Sequence, residues 1–430
     1  MPPSPGRWPD PLRIAPRGPL DARVRVPGSK SVTNRALVAA ALARGESALS
    51  GGLHSDDTRV MVESLGALGC ALDVSGDPWR ISGGGCRLRA PSAPLFAGNS
   101  GTTARFLTAA ATLADGPVVI DGSARMRERP IDDLCRALEK LGAPVRVEGA
   151  GGCPPVRVAG GGLRGGEATI DARRSSQYVS AVLLAAPCAA ADVTLRFEGD
   201  ALVSRPYVDL TLDVMRAFGA HAVWRGESAL HVAAGSPYRG RAYAIEADAS
   251  SAAYPFCAAA IAGGRVRVEG LDPATHQPDL GILDLLARMG CRVEKGPDWA
   301  ELRAPADGLR GIDVDMNALP DAVLALAVVA LFAEGPTRIR NVANLRIKES
   351  DRLAALETEL RRLGATATAG PDWLEIEPGP LHAAAIDTYD DHRMAMAFAL
   401  AGLRQPGVEI RDPGCVAKTW PDYFAMLEAL

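Results

Sequence analysis

The chain repeats one pattern six times, and self-similarity at a fixed period constrains a fold more tightly than any bulk property. Each copy opens with a short polar string that runs into an Ala-rich apolar stretch. The openings are GSKSVTNRALVAAAL at Gly28, GNSGTTARFLTAAATL at Gly98, RRSSQYVSAVLLAA at Arg173, DASSAAYPFCAAAI at Asp248, NALPDAVLALAVVAL at Asn317 and YDDHRMAMAFALAGL at Tyr389. Their starts lie 70, 75, 75, 69 and 72 residues apart. A second marker keeps the same period, placing a glycine at 69, 142, 219, 290 and 364. The pattern predicts six similar α/β units, each too small to bury its own apolar face.

The apolar stretches set the unit's geometry. Residues 37–42, 106–113 and 179–186 have almost no polar face, and a helix apolar all round is a buried helix. Ser, Thr, Asp or Asn precedes each one, as expected of N-caps. A glycine and an alternating strand follow, such as VVIDG at Val118 or RVRVEG at Arg265. DDLCRALEKLGA at Asp132 then reads as an amphipathic outer helix with a Gly stop. The unit is strand, buried helix, strand, outer helix, strands. Three units could close around a bundle of buried helices, with the sheets outside. If those helices run parallel, their N-termini share one face. Unpaired N–H groups and about half a positive charge per terminus would make that face attract anions.

Bulk properties narrow the function. A length of 430 residues suits two or three domains. With 47% hydrophobic and 23% charged residues the chain reads as globular. A net charge of −4 argues against a general nucleic-acid binder. The eight Cys show neither C-x-x-C nor Cys/His spacing suited to a metal, and they read as small core hydrophobes in a reducing compartment. The longest apolar run, residues 322–333, is too short for a bilayer. The first 18 or so residues, rich in Pro and Arg, read as a flexible tail outside the fold.

The polar strings carry the candidate chemistry. Lys30, Asn34 and Arg35 crowd the first cap, and Asn99 to Thr103 form the second, with Gly101 leaving room for a ligand near the backbone. RMRERP at Arg125 is either a solvated edge or a guanidinium cluster for phosphate or carboxylate. Ser175, Ser176 and Gln177 are a plain cap or a phosphate or polyol site. Asp321 opens the most apolar helix and becomes an ionised base if cations surround it. Lys348, Glu349 and Arg352 form a surface ladder or part of the site. DDHRM at Asp390 and Lys418 complete the set. A cluster of Lys30, Arg35, Arg125, Lys348, Arg352, Arg393 and Lys418 with few acids implies small substrates bearing several phosphate and carboxylate charges. Asp321 and Glu349 remain as acid/base candidates.

These motifs, with LVSRPYVDLT, NLRIKESDRL, YDDHRMAMAFA and AKTWPDYF, resemble the EPSP synthase (3-phosphoshikimate 1-carboxyvinyltransferase) family from about residue 12 to 430. The resemblance implies transfer of the enolpyruvyl group of phosphoenolpyruvate (PEP) to the 5-hydroxyl of shikimate 3-phosphate, in the shikimate pathway of aromatic amino acid biosynthesis. It also implies a two-domain inside-out α/β barrel of six βαβαββ repeats. One domain would be residues 1–28 plus 248–430, with 1–11 a flexible tail. The other would be 29–247, with the active site in the cleft between them. A cytoplasmic monomer without cofactor or metal is expected, its partners being the two small substrates, with no nucleic acid or membrane.

Carried over by residue, the resemblance gives Lys30 to both substrates, and Ser31 and Arg35 to the shikimate carboxylate. Ser175, Ser176 and Ser204 would hold the shikimate phosphate, with Gln177, Asp321, Asn344 and Lys348 completing that subsite. The PEP phosphate would meet Lys30, the Gly101 backbone, Arg125, Gln177 and Lys418, and its carboxylate Arg352 and Arg393. Asp321 would accept a proton and Glu349 donate one, although cations around Glu349 oppose that role and Lys30 could share it. Phe106 and Ser100 depart from a Pro and an Ala of one family branch. Gly101 implies sensitivity to glyphosate. A sister family acting on UDP-N-acetylglucosamine has a reactive Cys in a mobile loop, whereas residues 121–130 contain none. A non-catalytic anion-binding module would gain nothing from Asp321 and Glu349.

Overall fold

The computed structural model describes residues 8–235 and 237–430, with only the backbone of Asp200. The chain divides into two compact units, Met1–Ser29 with Glu246–Leu430 and Lys30–Ile245, each with its own apolar core.

In the unit of Lys30–Ile245 three Ala-rich helices are buried along almost their whole length: α1 (Lys30–Leu42), α2 (Gly101–Ala110) and α3 (Ser176–Ala185). Small side chains on every face let helices and sheets approach from all sides, so these segments need no polar stripe. Leu95–Phe96 and Val118–Asp121 pair in parallel across α2, and Gly166–Ala172 and Val193–Leu202 pair in parallel across α3. Each parallel pair extends by two antiparallel strands into a four-stranded sheet. The third sheet has the same order, with Ala242–Ala244 parallel to Arg44–Ser50. Amphipathic helices Asp56–Ala67, Asp132–Lys140 and Arg205–Ala217 complete the unit.

The unit of Glu246–Leu430 buries α4 (Ala249–Ala262), α5 (Val323–Ala330) and α6 (His392–Gly402). Leu20–Arg25 pairs in parallel with Gly264–Glu269, Asp313–Asp315 with Thr337–Arg340, and Ala384–Ile386 with Val408–Ile410. The last pair is extended by Leu12–Arg13, antiparallel to Val408–Ile410.

Two expectations are corrected here. The segment before residue 19 is not a loose tail over its described part. Leu12 and Ile14 are buried, Ile14 N–H bonds Val408 O at 3.0 Å, and the Trp8 ring meets Phe424 edge-on at 5.6 Å. Alternating apolar residues gain an edge strand and core burial there, which outweighs the Pro-rich composition. Residues 1–7 lie outside the described residues. The eight Cys are not all thiols either. Cys86 and Cys188 form a disulfide, while Cys70, Cys135, Cys153, Cys257, Cys291 and Cys415 are free. Cys86 sits in a turn tied to the end of α1, its N–H bonding Leu42 O, and Cys188 ends the turn after α3. Their Cα atoms are 5.5 Å apart although 102 residues separate them in sequence, a distance that a disulfide spans.

Candidate functional site

Helix mouths carry the polar strings in both units. In the unit of Glu246–Leu430 they form one ion network. Asp321 lies in the turn Pro320–Ala322 that leads into α5. Its Oδ1 accepts from Arg352 Nη1 at 3.1 Å and lies 3.5 Å from Lys348 Nζ, while its Oδ2 accepts from Arg393 Nη2 at 2.9 Å. Glu349 Oε2 accepts from Arg352 Nη2 at 3.0 Å, and its Oε1 lies 3.9 Å from Lys418 Nζ. The structure therefore brings Asp321, Lys348, Glu349, Arg352, Arg393 and Lys418 together. Asn344 lies in the adjoining turn Ala343–Ile347, buried, its Oδ1 without a hydrogen-bond partner.

Asp391 organises this network and was missed as a site residue. It caps α6 through the Arg393 N–H at 3.0 Å and accepts from Arg352 Nε and Nη2 at 2.8 and 3.1 Å and from Ser350 Oγ at 3.0 Å. Arg352 is 1% exposed and Asp391 fully buried. Burial opposes the Arg352 charge, but Asp391, Glu349 and Asp321 outweigh it and raise the guanidinium above its usual range. The expectation of few acids is thus corrected. Three carboxylates stand among these cations, because buried guanidiniums need counter-charges.

In the unit of Lys30–Ile245 the mouths are furnished differently. Lys30 starts α1, and its Nζ lies 3.4 Å from buried Asp57 Oδ2. Asp57 escaped the sequence reading, where SDD at Ser55 signals only a capped helix. The structure gives Ser55 and Thr58 a reciprocal capping box. Arg35 is 3% exposed and its acceptors are neutral: Thr211 Oγ1 at 2.7 Å from Nε, Ser31 O at 2.9 Å, Tyr207 O at 3.1 Å and Ser180 Oγ at 3.4 Å. Burial pushes this guanidinium down to about 10. Ser175 caps α3, accepting the Gln177 N–H at 3.2 Å, and Gln177 Nε2 reaches Thr102 Oγ1 at 3.4 Å, which joins the mouths of α2 and α3. Ser176 is buried. Ser204 caps Arg205–Ala217 in a left-handed backbone, φ 52°, a strain of about 1–3 kcal/mol of the kind found at ligand clamps.

The RMRERP loop sorts its arginines. Arg125 pairs with Glu128 at 2.9 Å and Arg127 with Asp121, both near solvent. Arg129 instead turns inward, where Nη1 donates to Asn99 O and Oδ1 at 3.0 and 3.2 Å. A Cβ at Gly101 would lie 2.6 Å from Arg129 Nη2 and 3.0 Å from Arg105 Nη1. Arg129 thus sets its guanidinium against the Gly101 backbone. Its signal in the sequence was the Pro after it, which fixes the chain direction there.

Among the described residues no group of three or more His, Cys, Asp and Glu is placed to hold a metal, and no helix is long and apolar enough to cross a membrane.

Residues 14–427 match the family model of EPSP synthase (3-phosphoshikimate 1-carboxyvinyltransferase). The chain is 46% identical over 408 residues to the 3-phosphoshikimate 1-carboxyvinyltransferase of Nostoc punctiforme, covering 94% of this chain and 95% of the relative. To that of Thiobacillus denitrificans it is 47% identical over 418 residues, covering 96% and 97%. An EPSP synthase from Acinetobacter baumannii superposes with a TM-score of 0.80 at 28% identity, over 97% of both chains. The enolpyruvyl transferase NikO from Streptomyces tendae, at 22% identity and a TM-score of 0.78 over 98% of both chains, shares the fold.

Proposed function

The chain belongs to the EPSP synthase (3-phosphoshikimate 1-carboxyvinyltransferase) family, and from that premise we propose how its own residues divide the work of transferring the enolpyruvyl group of PEP to shikimate 3-phosphate. Asp321 carries the proposal: an acceptor carboxylate held by two guanidiniums, with an ammonium nearby, at the mouth of a buried helix.

Asp321 takes the proton of the substrate 5-hydroxyl as its oxygen attacks C2 of PEP. Glu349 delivers a proton to the PEP methylene, with Lys30 as a second source, and a tetrahedral ketal results. Glu349, now a carboxylate, takes back a methyl proton as the double bond re-forms and the C–O bond to phosphate breaks, and the hydroxyl proton held by Asp321 leaves with the phosphate, so both residues return to their starting states. Cations already in place at the leaving phosphate stabilise the charge that develops there. Arg352 and Arg393 suit the PEP carboxylate, and a guanidinium matches a carboxylate by paired N–H bonds. Arg125 takes the PEP phosphate, with the Gly101 backbone, Lys30, Gln177 and Lys418, while Arg129 braces the Asn99 end of the same corner. Arg35 and Ser31 take the shikimate carboxylate. Ser175, Ser176 and Ser204 take its phosphate, and Gln177, Asn344 and Lys348 border it. Both sets act on one pair of substrates.

The finer architecture belongs to the same reading: six βαβαββ repeats forming a two-domain inside-out barrel. Four parallel strand pairs, each joined across a buried helix without leaving its unit, support it. A cytoplasmic monomer is the working state proposed.

The test is phosphate release. Mixing PEP with shikimate 3-phosphate should liberate phosphate stoichiometrically with the enolpyruvyl product. UDP-N-acetylglucosamine in its place should liberate none. Silence with shikimate 3-phosphate sinks the proposal.

A further inference from the structure

The turn that enters α6 has a costly backbone. Tyr389 and Asp390 are both left-handed, with φ 57° and 53°. A bulky aromatic residue rarely adopts that conformation, and it persists only where its surroundings hold it. Glu359 supplies the hold. It is fully buried on the helix Arg352–Arg362. Its Oε1 accepts from Tyr389 Oη at 2.8 Å, and its Oε2 accepts the Asp387 N–H at 3.3 Å and lies 3.2 Å from Arg362 Nη1. One carboxylate thus grips the entry and the apex of the turn. The Asp391 N–H closes it on Thr388 O at 2.9 Å. Tyr389 is 43% exposed, so its ring is not there to fill the core.

Glu359 stands seven residues after Arg352, on the same face of the helix. Arg352 reaches Asp391 and Glu359 reaches Tyr389, so helix and turn are fastened at two points, and the left-handed pair carries the chain from one to the other. We propose that Tyr389 and Glu359 are positioning residues for PEP, their hydrogen bond fixing the left-handed turn and so, through Asp391, the Arg352 and Arg393 guanidiniums. This rests on the reading of those guanidiniums as the partners of the PEP carboxylate. Burial and the facing Glu359 carboxylate push the Tyr389 phenol up to about 12, so the hydroxyl stays a donor across the range in which enzymes work. Without that hydroxyl the turn is free to leave its costly conformation, and Asp391 moves with it.

The experiment compares Tyr389→Phe, Tyr389→Asn and Arg393→Ala. KM for PEP and kcat come from phosphate release, the dissociation constant of shikimate 3-phosphate from calorimetry without PEP, and the melting temperature from a thermal scan. Tyr389→Phe keeps the ring and the costly backbone but removes the hydrogen bond, so KM for PEP should rise by about three- to tenfold. Asn enters the left-handed region readily, so Tyr389→Asn should hold KM for PEP within about twofold of wild type although it lacks the phenol. A contact that only stabilised the fold would rank the two the other way, since Phe is the closer replacement. Shikimate 3-phosphate affinity should stay within about twofold in both, because its proposed partners Arg35, Ser175, Ser176 and Ser204 share no contact with Tyr389 or Glu359. A lower melting temperature with unchanged KM for PEP in Tyr389→Phe, with Arg393→Ala impaired, overturns the proposal and spares the reading of Arg393. An equal rise of KM in the Phe and Asn variants also overturns it, since the backbone is then not what carries the effect. If Arg393→Ala itself leaves KM for PEP unchanged, the underlying reading fails first.

Discussion

Arg35 and Arg352 are both buried at helix mouths, one in each unit, and they are balanced in opposite ways. Among the described residues the hydrogen-bond acceptors of Arg35 are neutral oxygens, from Thr211, Ser180, Ser31 and Tyr207. Arg352 touches three carboxylates, Asp321, Glu349 and Asp391. A buried charge without a counter-charge is costly, so the Arg35 pocket favours an incoming anion strongly. The Arg352 network has its counter-charges built in, so its carboxylates are held in fixed positions. In the proposed reading one unit selects by charge and the other supplies the base. The same helix mouth serves both because its cap residues can change without altering the apolar helix behind them.

The sharpest way to break that comparison is to remove the reacting group. Asp321→Ala should lose about 10²–10⁴ in turnover, the usual range for a general base. Shikimate 3-phosphate should still bind, because its proposed partners Arg35, Ser175, Ser176 and Ser204 belong to the other unit. Stopped-flow phosphate release and calorimetry on one preparation separate the two effects. Near-normal turnover would dismiss Asp321 as the base, and loss of binding would make it mainly a ligand.

Local chemistry made much of this legible. The capping roles of Ser100, Ser175, Asp248 and Asp391 follow from residue type beside an apolar run. The buried helices follow from segments with no polar face to offer water. What stayed hidden depends on partners distant in sequence. Three arginines alternate in RMRERP, and nothing local says that Arg129 finds acceptors on Asn99, 30 residues away. Asp391 was visible as a cap, but its bond to Arg352 spans 39 residues. Asp57 lies in none of the repeated polar strings, and only the fold sets it beside Lys30. Leu12 and Ile14 carried a strand's alternation, which the prolines around them obscured.

A second contrast concerns stability. The Cys86–Cys188 disulfide closes a 102-residue separation within the unit of Lys30–Ile245, and the other unit's described cysteines are all free. Restricting the unfolded chain over such a loop is worth about 2–5 kcal/mol. Cys188→Ala, or reduction with dithiothreitol, should therefore lower the melting of that unit, while turnover at 25 °C stays as it was. Calorimetry should show the transition moving down. An unmoved transition under reductant would leave the two units equally served by their cores alone.

The smallest expected effect probes how closely the charge-selecting unit is fitted. A Cβ at Gly101 would crowd Arg129 Nη2 at 2.6 Å and Arg105 Nη1 at 3.0 Å. Both are ends of flexible side chains, so Gly101→Ala should fold, with the guanidiniums displaced. Misplacing a positioning group by a fraction of an ångström to 1 Å costs up to about 10²-fold, so KM for PEP should rise by about tenfold, within that bound. Wild-type enzyme should be inhibited by glyphosate in competition with PEP, since Gly101 leaves this corner open. Full activity at millimolar glyphosate would refute that expectation. If KM for PEP in Gly101→Ala did not move, this corner would not hold the PEP phosphate, and charge selection in this unit would rest on Lys30 and Arg35.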